Sequence, residues 1–342
     1  DAGIRDPLWS RGLGDVYKRQ VLPNKARESL KMKTINAIVI KNTSEKSYAL
    51  ADIIENVQRE DLSVLEEAIA YDKLTKNFLI PEYMQAIKGT GIVKALYMEV
   101  GMALDQQVAE AEWLIDLCEN QDTITKAGVI AGQPFEEKFT AYVDRFSKSS
   151  CIKGVRHLLQ IPESPKGMCL EKGYQKGVQH AGNRGLRFDI CIRPTELSDA
   201  IQLVRACPDT QFILDHCGNA DPAAFGDAAK YDREPQHTEY QWKGNIEGLA
   251  KQPNLICKIS GIIARVAPNA WSAEDLAPIV NHCLDSFGPD RVIFASDWPV
   301  CTLGAPLKAW VKALREIVAE RPEVEQRQLF SGNAQKVYEL EA

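Results

Sequence analysis

Seven short apolar runs recur along this chain, each interval holding one strand, one helix and two loops. They are Ile92 to Val100, Ala127 to Gly132, Ile152 to Leu159, Arg187 to Ile192, Gln211 to Cys217, Leu255 to Gly261 and Arg291 to Asp297, with starts 35, 25, 35, 24, 44 and 36 residues apart. Strands buried on both faces read as near-continuous apolar runs, and they belong to parallel sheets covered by helices. Helical stripes fill the gaps: Val108, Ala111, Leu114, Ile115 and Cys118 before the second run, and Leu276, Ile279, Val280, Cys283, Leu284 and Phe287 before the last. No linker separates the units. The pattern predicts an α/β fold, a TIM-type (β/α)8 barrel, rather than two doubly wound halves. Its first strand is weakly marked or missing, since upstream of Phe78 only Ala37 to Lys41 (AIVIK) has strand character.

The segment before the repeat reads differently. Ser10 to Gln20 (SRGLGDVYKRQ) looks like a translated reading frame of a sequencing adapter, so residues 1–20 are expected to be a non-native assembly scar. Residues 21–77 form an ill-defined N-terminal segment, and the barrel is expected over 78–342.

Charge and thiols narrow the partners. A net charge of -6 with no basic stripe predicts no binding to nucleic acid or to anionic membrane. No apolar run reaches the ~18 residues that span a bilayer. Nine scattered cysteines without a CxxC pair favour reduced, buried thiols and a cytoplasmic protein. A small-molecule substrate is the expected partner; oligomeric state cannot be read from these residues.

Parallel barrels carry their chemistry at the C-terminal ends of the strands. Those ends hold Glu99, Arg156 with His157, Arg193, His216 with Asn219, Ser260, and Asp297 with Trp298. Asp297 closes an apolar strand, and the Trp298-Pro299 that follows suggests a pocket wall rather than a helix cap. His216 alternates with Phe212 and Leu214; Asp215 then points to the other face and reads as structural. Arg156 and Arg193 suit recognition of a carboxylate or a polar lactone, or else ion pairs with Glu99 or Asp189. Lys258, mid-strand, is expected to pair with Asp189, a Schiff-base role being the alternative.

GVRHLLQ (154–160), RFDICIRP (187–194), FILDHCGN (212–219), CKISG (257–261) and RVIFASDWPVC (291–301) together resemble the amidohydrolase-related family, and NAQKVYEL (333–340) resembles its closing segment. The resemblance implies a metal-dependent hydrolase of the TIM-barrel fold, a group that includes sugar-lactone and dicarboxylate-lactone hydrolases and related decarboxylases. It implies Asp297 as the water-activating base on the last strand, and His216 as a metal ligand or a polariser of the substrate carbonyl. His157 and Arg193 would line the pocket, with Arg156, Glu99, Asn219 and Trp298 as further substrate contacts. One departure stands out: the family's first strand ends in His-X-His, and here no histidine precedes His157. A zinc-like divalent ion needs about three or four protein ligands; His216 with Asp297 supply two, and His157 is the candidate for a third. Metal-assisted and metal-free hydrolysis both stay open. The expected activity is hydrolysis of a lactone or similar cyclic ester or amide; a metal-dependent decarboxylase and an inactive barrel are the alternatives.

Overall fold

The computed structural model describes residues 79–340 apart from 121, 122, 227, 232, 268 and 269. The AIVIK segment and the adapter-like stretch lie outside the described residues. The chain divides into two compact units at Ala86/Ile87. Of the first, the described part is a short helix, α1 (Ile80–Ala86).

The second unit holds one sheet of seven parallel strands in sequential order: β1 (Ala95–Met98), β2 (Thr125–Ala131), β3 (Ile152–Leu158), β4 (Arg187–Cys191), β5 (Phe212–Leu214), β6 (Leu255–Ile259) and β7 (Val292–Phe294). All seven expected strands are present, most of them shorter than their apolar runs. Between them run α2 (Gln107–Asn120), α3 (Phe139–Phe146), α4 (Lys172–Asn183), α5 (Leu197–Ala206), α6 (Glu239–Ala250) and α7 (Ala273–Phe287), with α8 (Leu307–Ile317) after β7.

The sheet curls so that one face closes on itself. Val129 of β2, Ile213 of β5, Ile256 of β6 and Ile293 of β7 meet in one cluster, against which Leu96 and Met98 of β1 pack. Strands at opposite ends of a flat sheet could not share one cluster, so the fold is of the TIM-barrel type. The period of two along each strand then stacks the interior in layers. In β6, Ile256 is succeeded inward by Lys258 and then by Ser260; in β7, Ile293 leads to Ala295 and Asp297. Apolar residues thus fill one end of the interior, charged residues the middle, and the candidate site the rim.

Helices cover the other face. α7 starts at a Ser272–Asp275 capping box and buries Leu276, Ile279, Val280, Cys283, Leu284 and Phe287, the stripe its spacing predicts. α2 is rotated slightly from expectation: Leu117 is buried while Val108 is exposed. Its close seat is made by Gly128, where a Cβ would fall 2.5 Å from the Leu114 side chain.

Candidate active site

His216 and Asp297 face each other at the C-terminal rim. His216 Nε2 lies 3.9 Å from Asp297 Oδ1. Both residues take left-handed backbone conformations, φ 55° at His216 and 51° at Asp297. Such values are uncommon outside glycine and cost of order 1–3 kcal/mol each, so surrounding structure must impose them. Here the turn from His216 to Asn219 stays left-handed throughout, with Cys217, Gly218 and Asn219 at φ 53°, 65° and 55°.

Hydrogen bonds pin that turn. Trp242 Nε1 donates to the Cys217 carbonyl at 2.9 Å, the Gly218 N–H donates to the Asp215 carbonyl at 2.9 Å, and Asn219 Nδ2 donates to the Ile192 carbonyl at 2.9 Å. Asp297 is tied at its carbonyl, which accepts from the Cys301 N–H at 2.8 Å. The turn also explains why β5 ends at Leu214 rather than running on to Cys217. Strand alternation would send His216 toward the helices; the left-handed step brings its ring to the rim instead.

The His216 ring is positioned by β6. Its Nδ1 hydrogen-bonds to Ser260 Oγ at 2.9 Å, and it packs so closely on Gly261 that a Cβ there would lie 2.5 Å from His216 Cγ. A Ser260 hydroxyl that donates to Nδ1 would place the ring's proton on Nε2, toward Asp297. Ser260 belongs to the strand-end set visible in the sequence, but its bond to His216 and the need for Gly261 depend on a turn geometry that local residue types do not reveal.

Below the pair lies a buried ionic layer. Lys258 Nζ is 2.6 Å from Asp189 Oδ1 and 2.6 Å from Asp215 Oδ1. Arg156 donates through Nη1 to Asp215 Oδ2 at 3.1 Å and through Nε to Glu99 Oε1 at 2.6 Å. Asp189 and Asp215 are fully buried. Burial raises the cost of ionising Asp215, but Lys258 and Arg156 outweigh it and hold the carboxyl below its usual range. For Asp189, burial and the repelling Asp215 charge outweigh the pull of Lys258 and Arg156, and its carboxyl is pushed up to about 7. For Asp297, burial outweighs the pull of His216, Arg156 and Lys258 and raises its carboxyl above the usual value.

The other sequence candidates occupy varied places. Arg156 and Glu99 are bound to each other within the ionic layer. Arg193 braces the loop after β3, donating to Glu196 Oε2 at 2.8 Å and to the carbonyls of Ile161 and Ser164. Asn219 lies on the turn and also donates to Gln160 Oε1 at 2.6 Å. Trp298 follows Asp297 directly, its N–H donating to Ser296 Oγ at 3.2 Å. His157 is set apart: its ring lies between Phe135 and Tyr174, with Nδ1 3.3 Å from the Tyr174 hydroxyl. Its neighbour Arg156 faces inward, so alternation turns His157 to the helices.

A divalent ion would draw on His216 Nε2 and Asp297 Oδ1. Asp215 and Cys191 also offer ligand atoms within 4.8 Å of one of His216, but Asp215 is engaged by Lys258 and Arg156 on both oxygens, and burial together with the Asp215 charge pushes the Cys191 thiol up to about 12, away from the thiolate that binds metal. The donors among the described residues therefore fall short of the three or four ligands that zinc takes.

A family model described as amidohydrolase matches residues 93–340. The chain belongs to the amidohydrolase family. It is thereby a hydrolase of that superfamily. Among curated relatives, it is 25% identical over 278 residues to an uncharacterized protein, y4mH, of Sinorhizobium fredii, covering 79% of this chain and 88% of that protein. It is 29% identical over 195 residues to an L-fucono-1,5-lactonase of Burkholderia multivorans, covering 55% of this chain and 63% of the lactonase. The fold matches that of an amidohydrolase from Burkholderia multivorans solved with bound zinc, at TM-score 0.68 and 20% identity, covering 82% of this chain and 93% of that one. A similarity of another kind spans 88 residues, 33% identical to a probable chromosome-partitioning protein ParB of Pseudomonas putida, covering 25% of this chain and 30% of that protein. Among the described residues no helix is long and apolar enough to cross a membrane.

Proposed function

We propose that this amidohydrolase opens a lactone or a similar cyclic ester or amide, and that residues 78–342 carry the activity. The observation behind the proposal is the 3.9 Å opposition of His216 Nε2 and Asp297 Oδ1 at the strand ends. At that spacing the carboxylate can accept from a water while the imidazole addresses the adjoining substrate carbonyl. Similarity to a sugar-lactone hydrolase supports the substrate class.

In the proposed reaction Asp297 accepts a proton from water as the water oxygen attacks the carbonyl carbon. The His216 Nε2–H donates to the carbonyl oxygen as negative charge develops there. Collapse of the tetrahedral intermediate breaks the ring C–O bond, and the proton held by Asp297 passes to the departing alkoxide. Ser260 keeps His216 in the required tautomer, and a raised Asp297 carboxyl is a stronger base than an ordinary aspartate. Asn219 and Trp298, flanking the pair in sequence, are the proposed substrate contacts. Arg156 and Glu99 are proposed to act through Asp215 and the shape of the rim. No step is assigned to a metal, because the described donors do not complete a ligand set. The nine free cysteines support a reducing, cytoplasmic setting.

The test is hydrolysis of sugar lactones by purified protein. Asp297→Asn is expected to lower kcat by about 10²–10⁴-fold, the usual contribution of a positioned base. Full activity in that variant would overturn the assignment, and release of carbon dioxide from an aromatic acid would favour decarboxylation instead. Activity that is lost to a chelator and restored by zinc would show that residues beyond those described complete a metal site.

A further inference from the structure

Three thiols converge in the layer between sheet and helices, on the far side of β6 from the ionic layer. Cys217 comes from the left-handed turn, Cys257 from the helix-facing side of β6, and Cys283 from the inner stripe of α7. All three are fully buried, and their sulfur atoms lie within 4.8 Å of one another. They belong to none of the steps proposed for His216 and Asp297. A buried cysteine is commonly a small apolar packing residue. Three from separate elements meeting sulfur to sulfur present, in addition, a triangle of soft donors.

The surroundings select what such a triangle would hold. Cys217 Sγ also contacts the Lys258 carbonyl oxygen at 3.9 Å and the Ser260 backbone. Among the described residues no Lys or Arg is paired with these sulfurs, and the neighbouring group that can carry positive charge is the His216 imidazole beside Cys217. A monovalent ion held by three thiolates would leave two net negative charges in this layer, and a divalent ion would leave one. Burying an uncompensated charge costs several kcal/mol. A trivalent centre leaves none. Soft sulfur ligands also favour thiophilic elements over hard cations such as magnesium or calcium.

We infer that Cys217, Cys257 and Cys283 form a three-thiol site for a trivalent, thiophilic metalloid of the arsenite type. Capture is an exchange without redox change: As(OH)3 and three cysteine thiols give one arsenic bonded to three sulfurs and three water molecules. Three As–O bonds and three S–H bonds break, three As–S bonds form, and each hydroxyl leaves with a thiol proton. Binding would draw β6, α7 and the turn together and so stabilise the fold. The site is independent of the hydrolytic reading, because its readout is mass and stability rather than turnover.

The test incubates the reduced, full-length protein with sodium arsenite in the absence of oxygen, then measures intact mass under native conditions and the thermal midpoint. The expected wild-type product carries one arsenic with three hydrogens lost, and melts at a higher temperature than the untreated protein. Cys283→Ala and Cys257→Ser should each abolish the three-thiol product, whereas Cys151→Ala should retain it. The inference is overturned by a wild type that gains no arsenic, by a product that keeps a hydroxyl on arsenic and so uses two thiols, or by an unchanged three-thiol product in Cys283→Ala. Because the wild-type mass alone can refute it, the test survives any failure of a variant to fold.

Discussion

His216 and Asp297 meet across 3.9 Å, each on a left-handed residue, one where β5 turns away and the other beyond β7. Burial raises the Asp297 carboxyl above the ordinary aspartate value of 3.8, against the pull of His216, Arg156 and Lys258. A general base works only when ionised, so protonating Asp297 removes it. The acid limb of kcat/KM is therefore expected to fall at a pH above that of an unperturbed aspartate, about 3.9. A profile on lactone substrate that stays flat to that pH would contradict the assignment.

Gly261 is the second point of leverage. It has φ 72°, and a Cβ there would meet His216 Cβ, Cγ and Nδ1 at 2.5–2.6 Å. The imidazole cannot keep its place if a methyl group occupies that space. Gly261→Ala is expected to displace the ring and lower kcat by about tenfold or more, since small misplacements of catalytic groups are costly. Ser260→Ala, which frees Nδ1 without adding bulk, should lower kcat less and leave the thermal midpoint nearly unchanged. Wild-type turnover in Gly261→Ala would show that His216 does not depend on this contact.

The strands were legible because parallel strands buried on both faces leave continuous apolar runs, and the barrel followed from their regular spacing. The Lys258–Asp189 pair was legible too, since a lysine and an aspartate inside apolar strands need a partner. Strand ends were less so. Gln211 to Cys217 reads as one strand, yet pairing stops at Leu214 because the next residues turn left-handed without a marker beyond Gly218. Adjacent polar residues were a further difficulty. Arg156 and His157 both close β3, and alternation separates them: Arg156 turns inward to Glu99 and Asp215, His157 outward to Phe135 and Tyr174. The link from Ser260 to His216 crosses 44 residues and joins the ends of two neighbouring strands, which no local pattern records.

The ionic layer makes a stability prediction. Lys258 is the shared cation between two fully buried carboxylates, at 2.6 Å from each. Removing one partner of a buried pair typically costs about 3–5 kcal/mol, because it strands an uncompensated charge. Lys258→Met should lower the unfolding free energy by roughly that amount at pH 8. Adding Asp189→Asn should recover part of the loss, since Asp215 keeps Arg156 as a partner. Urea denaturation of the wild type and the two variants decides this, and an undiminished Lys258→Met stability would show that the layer tolerates bare carboxylates.

His157 gives the complementary test in pH. Burial pushes its imidazole down from 6.5 to about 4, so the folded protein holds it neutral. In the unfolded chain it takes up a proton near 6.5. Between these values the unfolded state binds the extra proton, so stability is fully present above about 6.5 and is lost as pH falls toward 4. At roughly 1.4 kcal/mol per pH unit, the loss by pH 5 is about 2 kcal/mol. Phenylalanine fits the same aromatic neighbourhood but cannot titrate. His157→Phe should therefore show a shallower decline between pH 7.5 and pH 5 than the wild type, whatever its stability at pH 7.5. Parallel declines would mean that His157 becomes protonated in the folded protein, and that its place between Phe135 and Tyr174 is open enough to solvate the charge.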